Sequence, residues 1–398
     1  MKILLLTNIL SPYRKVFYDK LYYGFQENGV EFTVLVMAEN EPNRHWHYDE
    51  YKSDYSELLE SKTIKISNVC FHFNKNIKKR IQEIRPDIII ASGHYLSPSV
   101  FKVIRMKHKL RYKLLFWSES HLDETRSYNS IKLKLRELMR NYIYKKFDGY
   151  WYAGEKSRQF IEKYAIKQKV KENRKTTKNK EYYFVPNLVD NNYYKSSMYV
   201  NKSEKEGVCQ KYDIPYDHYI FVLSGRLELE KGILPFLKLF YYCNLKNKAT
   251  IIIMGDGTLK NEIEQWILLY HLNVKLVGYL EQEEMRLLYS IGDCFLLPSI
   301  SDANPLSCIE ALWAGLPLLL SNHVGNYPET VYGGKNGYVF HYDYPQEVCN
   351  LIDKLISSDE NWRSTARSIS LTIAEETYEP NKVVKNLIEN MLKDYNSD

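Results

Sequence analysis

Short apolar runs alternate with longer amphipathic segments along the whole chain. In the first half the strand-like runs are Ile3 to Thr7, Phe32 to Val36, Ile88 to Ala91, Lys113 to Trp117, Gly149 to Tyr152 and a short Tyr183 to Val185. In the second half they are Tyr219 to Ser224, Thr250 to Met254, Val274 to Val277, Cys294 to Leu297 and Leu316 to Ser321. Apolar runs of this length, separated by helix-length stretches, predict parallel strands joined by crossover helices. Each half supplies its own set, so the pattern predicts an α/β protein of two doubly wound domains facing across a cleft. Between Asp190 and Tyr212 polar and charged residues replace the periodicity, which places a linker at about 188–206. The expected units are a first domain over 1–190, a second over 206–375 and a C-terminal helix within 376–398. That helix covers Asn381 to Leu392 after the break at Glu379-Pro380, and it is a candidate to cross back to the first domain.

At 398 residues the chain is too long for one ordinary core. Its 44% hydrophobic and 26% charged content are those of a globular protein. The net charge of +6 permits anionic partners without demanding them. Its distribution matters more: Lys167 to Lys180 holds seven Lys or Arg against one Glu, and Lys102 to Lys113 is also basic. The first of these reads as a solvated surface loop. No apolar run approaches the ~20 residues of a membrane span. The opening run Ile3 to Leu6 is only four residues long and no small-residue cleavage site follows it, so it reads as a buried strand. Six cysteines (Cys70, Cys209, Cys243, Cys294, Cys308, Cys349) form no CxxC pair, which predicts buried free thiols and a reducing, cytoplasmic setting. The basic residues are not interleaved into a nucleic-acid module, and none is expected as a partner.

Ligands of open α/β sheets bind beyond the carboxyl ends of the strands, so residues just after strands are the ones to weigh. Ser301-Asp-Ala-Asn-Pro-Leu-Ser-Cys-Ile-Glu310 follows the strand ending at Leu297. Asn304 suits a helix N-cap and Pro305 the first helical position, leaving the N–H groups of Leu306, Ser307 and Cys308 free for a phosphate. Asp302 before the cap and Glu310 beyond it would display two carboxylates along one ligand, where each accepts hydroxyl hydrogen bonds. A capped amphipathic helix with Glu310 in a structural ion pair is the plainer alternative. Ser224-Gly-Arg-Leu-Glu-Leu-Glu-Lys-Gly232 follows the first strand of the second half. Gly225 permits close backbone approach, and Arg226 with Lys231 offers two cations to a diphosphate. Glu228 and Glu230 are alternative partners for the same cations. The turns Gly255-Asp-Gly257 and Gly278-Tyr279-Leu280 are weak signals singly.

In order, Gly-Arg-x4-Lys-Gly, Gly-Asp-Gly, Gly-Tyr-Leu, Leu-Pro-Ser and acid-x7-Glu-Ala resemble the retaining GT-B glycosyltransferases of the GT4 family (glycosyl transferases group 1). The motifs cover about residues 219–340. The resemblance implies two Rossmann-like domains, a UDP- or GDP-sugar donor and no metal or other cofactor. It implies that Arg226 and Lys231 hold the donor diphosphate; Gly225, Gly255, Gly257 and Asn304 to Ser307 are further donor-binding candidates. Gly278, Tyr279 and Leu280 would lie beside the base, Glu310 on the ribose, and Asp302 at the transferred sugar. The family has Glu followed by Gly where this chain has Asp302 followed by Ala303, so the carboxylate sits one methylene back.

The first half resembles the family less, as suits a domain that holds a variable acceptor. The loop Asn8-Ile-Leu-Ser-Pro-Tyr-Arg14 lacks the family's glycine pair, and Tyr13 and Arg14 are candidates to meet a diphosphate or an anionic acceptor. Phe116-Trp-Ser-Glu-Ser-His-Leu-Asp-Glu-Thr-Arg126 offers Glu119 and His121 where the family places a catalytic His, and His94 is a third candidate. Pro186-Asn-Leu-Val-Asp190 resembles a family segment before the linker. Ile131 to Lys146 mixes Lys132, Lys134, Arg136, Arg140, Lys145 and Lys146 with Leu133, Leu135, Tyr142, Ile143 and Phe147. Such a helix is expected either to dock on an anionic membrane, at the inner face of the plasma membrane, or to be solvated on one face. The expected function is transfer of a sugar, with retention, to a glycan or lipid-linked acceptor in bacterial surface polysaccharide (O-antigen or capsule) biosynthesis. Two alternatives stand beside it: an inactive donor-binding partner subunit, and a nucleotide-sugar epimerase of the same fold.

Overall fold

The computed structural model describes every residue except 42–46, 67–68, 123–129, 167–179, 216, 244–247 and 398. The basic stretch from Lys167 and the Asp123 to Arg126 end of the polar motif therefore lie outside the described residues.

The first domain is built on strands β1 (Lys2–Thr7), β2 (Glu31–Val36), β3 (Ser56–Leu58), β6 (Ile88–Ala91), β7 (Lys113–Ser118), β8 (Gly149–Tyr152) and β9 (Glu181–Phe184). They form one parallel sheet in the order β3-β2-β1-β6-β7-β8-β9. Strands β4 (Ser61–Ile66) and β5 (Val69–Asn74) make a separate antiparallel pair. The second domain carries β10 (Tyr219–Ser224), β11 (Ala249–Met254), β12 (Val274–Gly278), β13 (Cys294–Leu297), β14 (Leu318–Ser321) and β15 (Gly337–Phe340) in the order β12-β11-β10-β13-β14-β15. Every pairing in that sheet is parallel. Runs such as Ile88–Ala91 and Ala249–Met254 are apolar without alternation because helices cover both faces of each sheet.

Each sheet reverses its winding once. The first does so between β1 and β6, the second between β10 and β13. At such a reversal the two neighbouring loops leave on opposite faces, and a crevice opens beyond the strand ends. The loops after β1 and β6, and those after β10 and β13, therefore frame the places where a ligand fits.

The segment expected as an irregular linker is helical instead. Asn191–Lys195 is capped by Asp190, and Lys202–Lys211 begins at a reciprocal Asn201/Glu204 capping box. Dense polar residues here serve caps, which periodicity does not register. Helix Glu360–Thr377 closes the second domain, and helix Pro380–Ser397 then crosses back. Val383, Val384, Leu387, Ile388 and Met391 recur at helical spacing and pack into the first-domain core with Phe25, Leu21 and Val34. Gly24 leaves the room this requires, since a Cβ there would lie 2.5 Å from Ile388 Cδ1. Tyr183 donates to Asp394 at 2.8 Å at the far end.

The expectation of six free thiols is corrected. Cys243, at the end of helix Ile233–Tyr242, is joined by a disulfide to Cys349 in helix Pro345–Ile356. Both helices cover the same face of the second sheet, so residues 106 apart in sequence have Cα atoms 5.2 Å apart. Cys209, Cys294 and Cys308 are buried free thiols. Cysteine usage thus no longer argues for a reducing compartment. Among the described residues, no helix is long and apolar enough to cross a membrane.

Each buried aliphatic side chain of the crossing helix contributes about 1.5–3 kcal/mol before ordering entropy. Leu387→Ala is expected to destabilise the protein by about 2–5 kcal/mol. Urea unfolding followed by circular dichroism checks this; a midpoint unchanged from the parent would show that the helix is not part of the first-domain core.

Candidate functional site

The second crevice is assembled from both sides of the β10/β13 reversal. After β10, Gly225 bends the chain and Arg226 extends into solvent, where Glu230 holds it at 3.0 Å. The alternative partner named for the cations is thus realised for Arg226 alone. Lys231 turns inward and bonds Asp302 at 2.5 Å, with the two side chains only 14% and 16% exposed. Asp302 arrives from the loop after β13, so this ion pair spans the reversal. Its backbone is held on two sides: Asp302 N donates to His323 O and Gly325 N donates to Asp302 O. Ser299 Oγ donates to the same carboxylate at 3.4 Å.

Glycines let three loops approach here. A Cβ on Gly255, whose φ is +146°, would lie 2.0 Å from Gly225 O. One on Gly257 would lie 2.6 Å from Leu227 O. The third loop joins through Gly255 N, which donates to Gly278 O at 2.7 Å, and past it Tyr279 stands exposed while Leu280 is buried. The loops after β10, β11 and β12 are thereby locked into one rim.

The helix expected to start at Pro305 covers Leu306–Trp313. Pro305 itself takes the cap position, with extended backbone, and Asn304 is not the cap. Without an N–H, Pro305 cannot be a first-turn donor in any case. Among the described residues the buried Asn304 side chain has no hydrogen-bond partner, while its backbone carbonyl accepts from Asn187 Nδ2 at 2.9 Å. Asn187 therefore ties the first-domain exit to the helix mouth. The first-turn N–H groups of Leu306, Ser307 and Cys308 have no acceptor within their own helix.

Glu310 lies four residues past Leu306, about 6 Å along the axis. Tyr289 donates to it at 3.0 Å, and Tyr194 bonds the same carboxylate. Burial pushes the Glu310 carboxyl above the usual range, and the two tyrosines and Lys231 only partly oppose that. Neither tyrosine was singled out from sequence. Tyr289 sits in an ordinary amphipathic helix, and Tyr194 in the stretch taken as linker.

The first-domain crevice is a cavity of about 440 Å³. The loops after β1, β6 and β7 supply Asn8, Tyr13, Arg14, His94 and Glu119, and helix Ser130–Tyr144 supplies Arg136 and Arg140. Arg14 follows Ser11 and Pro12 at the start of helix Pro12–Glu27; it pairs with Glu119 and lies 4.0 Å from the Trp117 ring centroid. Burial disfavours the guanidinium charge and Glu119 offsets it. His94 stacks on Tyr95 and accepts from Leu96 N. His121 is 1% exposed and does not line the cavity, so the structure separates it from Glu119, which does. Ala303 of the second domain also lines the cavity, directly beside Asp302. The two crevices thus meet at that loop.

The basic helix Ser130–Tyr144 divides its residues. Arg136 and Arg140 face the cavity, and Ile143 is buried, as is Phe147 just beyond the helix end. Ile131, Leu135, Leu138 and Tyr142 are 77%, 62%, 67% and 62% exposed. Lys134, Lys145 and Lys146 are exposed beside them.

The family model Glycosyl transferases group 1 matches residues 204–369, which span the second domain. An uncharacterized glycosyltransferase of Methanocaldococcus jannaschii is 27% identical over 252 residues, 61% of this chain and 57% of that one. The UDP-Gal:alpha-D-GlcNAc-diphosphoundecaprenol alpha-1,3-galactosyltransferase of Escherichia coli is 30% identical over 150 residues, 36% of this chain and 37% of that one. The chain thus spans about a third to somewhat over half the length of the curated relatives it matches. Among solved structures, Anabaena HepE in complex with UDP aligns with a TM-score of 0.73 at 16% identity, over 99% of this chain and 100% of that one. This likeness shows the fold: GT-B, two Rossmann-like domains.

The raised carboxyl of Glu310 makes a sign-definite prediction. A folded state that binds this proton more tightly than the unfolded chain loses stability as pH rises from about 4.5 through the raised value. Glu310→Gln is expected to remove that slope and to be at least as stable as the parent at pH 7. Urea midpoints from pH 5 to 8 test this; parallel curves for the two proteins would overturn the burial argument.

Proposed function

We propose that this protein is a glycosyltransferase that moves a sugar from a UDP- or GDP-sugar, UDP foremost, to a lipid-linked glycan acceptor. The observation that carries the reading is the Lys231–Asp302 pair across the β10/β13 reversal, beside a helix mouth with free N–H groups and Glu310 within reach. A nucleotide sugar presents hydroxyls, a diphosphate and hydroxyls again, and this row of groups matches that order. The group 1 match and the UDP complex of HepE support the donor class.

In the proposed reaction the C1–O bond to the diphosphate breaks and a C1–O bond to the acceptor hydroxyl forms on the same face. The acceptor proton passes to the leaving phosphate oxygen. Lys231, Arg226 and the N–H groups of Leu306 to Cys308 neutralise the charge growing on the diphosphate. Glu310 accepts from the ribose hydroxyls and Asp302 from the transferred sugar. Glu119, at the cavity beneath Ala303, positions the acceptor together with Arg14. These residues act by placement and charge, and no resident metal or other cofactor is assigned to the site. Assembly of a surface polysaccharide is the proposed setting, in line with the acceptor printed in the name of the E. coli relative.

The exposed stripe Ile131, Leu135, Leu138 and Tyr142, flanked by lysines, is proposed to rest on an anionic membrane.

Nucleoside diphosphate release from a panel of UDP- and GDP-sugars, with and without a membrane lipid extract, tests the reaction. One donor is expected to be turned over, and Glu310→Ala to lose at least about 100-fold in rate. Binding without release from any donor would instead indicate a donor-binding partner subunit, and neither binding nor release would refute the donor site.

Co-sedimentation with vesicles containing phosphatidylglycerol is expected to weaken as salt rises and to drop in a Leu135→Glu/Leu138→Glu variant. Retention indifferent to both changes would remove the helix from the membrane contact.

A further inference from the structure

The cavity of the first domain holds a cation that the proposed reaction has not used. Arg140 lies on helix Ser130–Tyr144, with its guanidinium 4.7 Å from the ring centroid of Phe160 and 5.4 Å from that of Tyr164. Its Nη1 is 3.5 Å from Tyr164 Oη, and its Nε is buried with no hydrogen-bond partner among the described residues. Among the described residues it pairs with no carboxylate. The acids of the cavity are engaged elsewhere: Glu119 with Arg14, and Glu41 with His72 at 2.9 Å and Asn8 at 3.3 Å.

A buried N–H left without an acceptor costs about 1–3 kcal/mol, so its retention calls for a partner. Aromatic faces hold a guanidinium by its flat side and leave its in-plane N–H edge for an anion. Phosphate oxygens match that edge in pairs. The position of the helix says where such a phosphate comes from. Arg136 and Arg140, four residues apart, line the cavity, whereas Leu135, Leu138 and Tyr142 form the exposed stripe on the other side. One helix diameter, about 10–12 Å, separates the two faces. A hydrocarbon chain lying along the stripe brings a phosphate at its end to the cavity mouth.

We infer that the first-domain cavity is a subsite for the diphosphate of a lipid-linked acceptor, with Arg140 as its ligating cation. This rests on the transferase reading, whose lipid-linked acceptor it places by its diphosphate. With the diphosphate on Arg140, the attached sugar extends toward Ala303, where the cavity meets the donor crevice.

The test titrates geranyl diphosphate, geraniol and inorganic pyrophosphate into the full chain by calorimetry, with UDP first bound so that the donor crevice is filled. The parent protein is expected to bind geranyl diphosphate saturably and geraniol not at all. Arg140→Gln is expected to weaken geranyl diphosphate at least about tenfold while UDP affinity moves less than about twofold. Arg140→Lys keeps the charge but not the fork and is expected to fall between them; its UDP affinity and melting temperature report that the fold is intact. Equal geranyl diphosphate affinity in the parent and Arg140→Gln would overturn the subsite. Pyrophosphate binding as tightly as geranyl diphosphate would overturn the lipid source. Absence of both UDP and GDP binding with geranyl diphosphate binding intact would sink the donor reading and leave the subsite standing, so the two failures are distinct.

Discussion

The organising constraint is the reversal of winding in each parallel sheet. Because successive crossovers are right-handed, a sheet that grows first one way and then the other must leave a gap between the loops at its starting strand. That gap falls between β1 and β6 in one domain and between β10 and β13 in the other. In each domain a cation that follows the starting strand meets an acid that arrives from the other side of the reversal. Arg14 meets Glu119 in the first domain, and Lys231 meets Asp302 in the second. Two halves with little in common in sequence thus solve the same geometric problem with the same pair of charges.

The two crevices differ in what else they contain. The second is a rim of backbone: glycine turns packed against one another, a helix mouth and a carboxyl group held by tyrosines. Such a rim suits a ligand with an invariant core. The first is lined largely by long side chains, with arginines lying on aromatic rings. Side chains of this kind rearrange at low cost, which suits a variable partner. Placement of the donor in one and the acceptor in the other follows from this contrast as much as from any single residue.

How far the sequence was legible tracks which forces acted locally. Strands such as Ile88–Ala91, Gly149–Tyr152 and Cys294–Leu297 are plain because both faces are buried and the apolar run ends where the strand does. Strand Ser61–Ile66 is exposed along its length and carries no such run, so nothing in its pattern announces it. Gly337–Phe340 is short and follows a glycine-rich turn. Lys231, Asp302 and Glu310 were visible because motif order places them after strands. Tyr194 and Tyr289 reach Glu310 only through tertiary packing, and the Cys243–Cys349 pair only through two helices sharing a face. Asn304 shows the opposite error: a good capping residue whose place is taken by the proline after it.

The crossing helix has a mechanical consequence. The chain passes between the domains twice, once after β9 and again between Thr377 and Pro380. A body joined to another at a single point swivels freely, whereas one joined at two points turns only about the line through them. Any rotation of one domain against the other is therefore confined to the line through the two crossings, like a door hung on two pins. Ala303 and Asp302 are neighbours on the one loop that reaches the cavity, so such a rotation would carry both together and leave a single coordinate linking the two crevices.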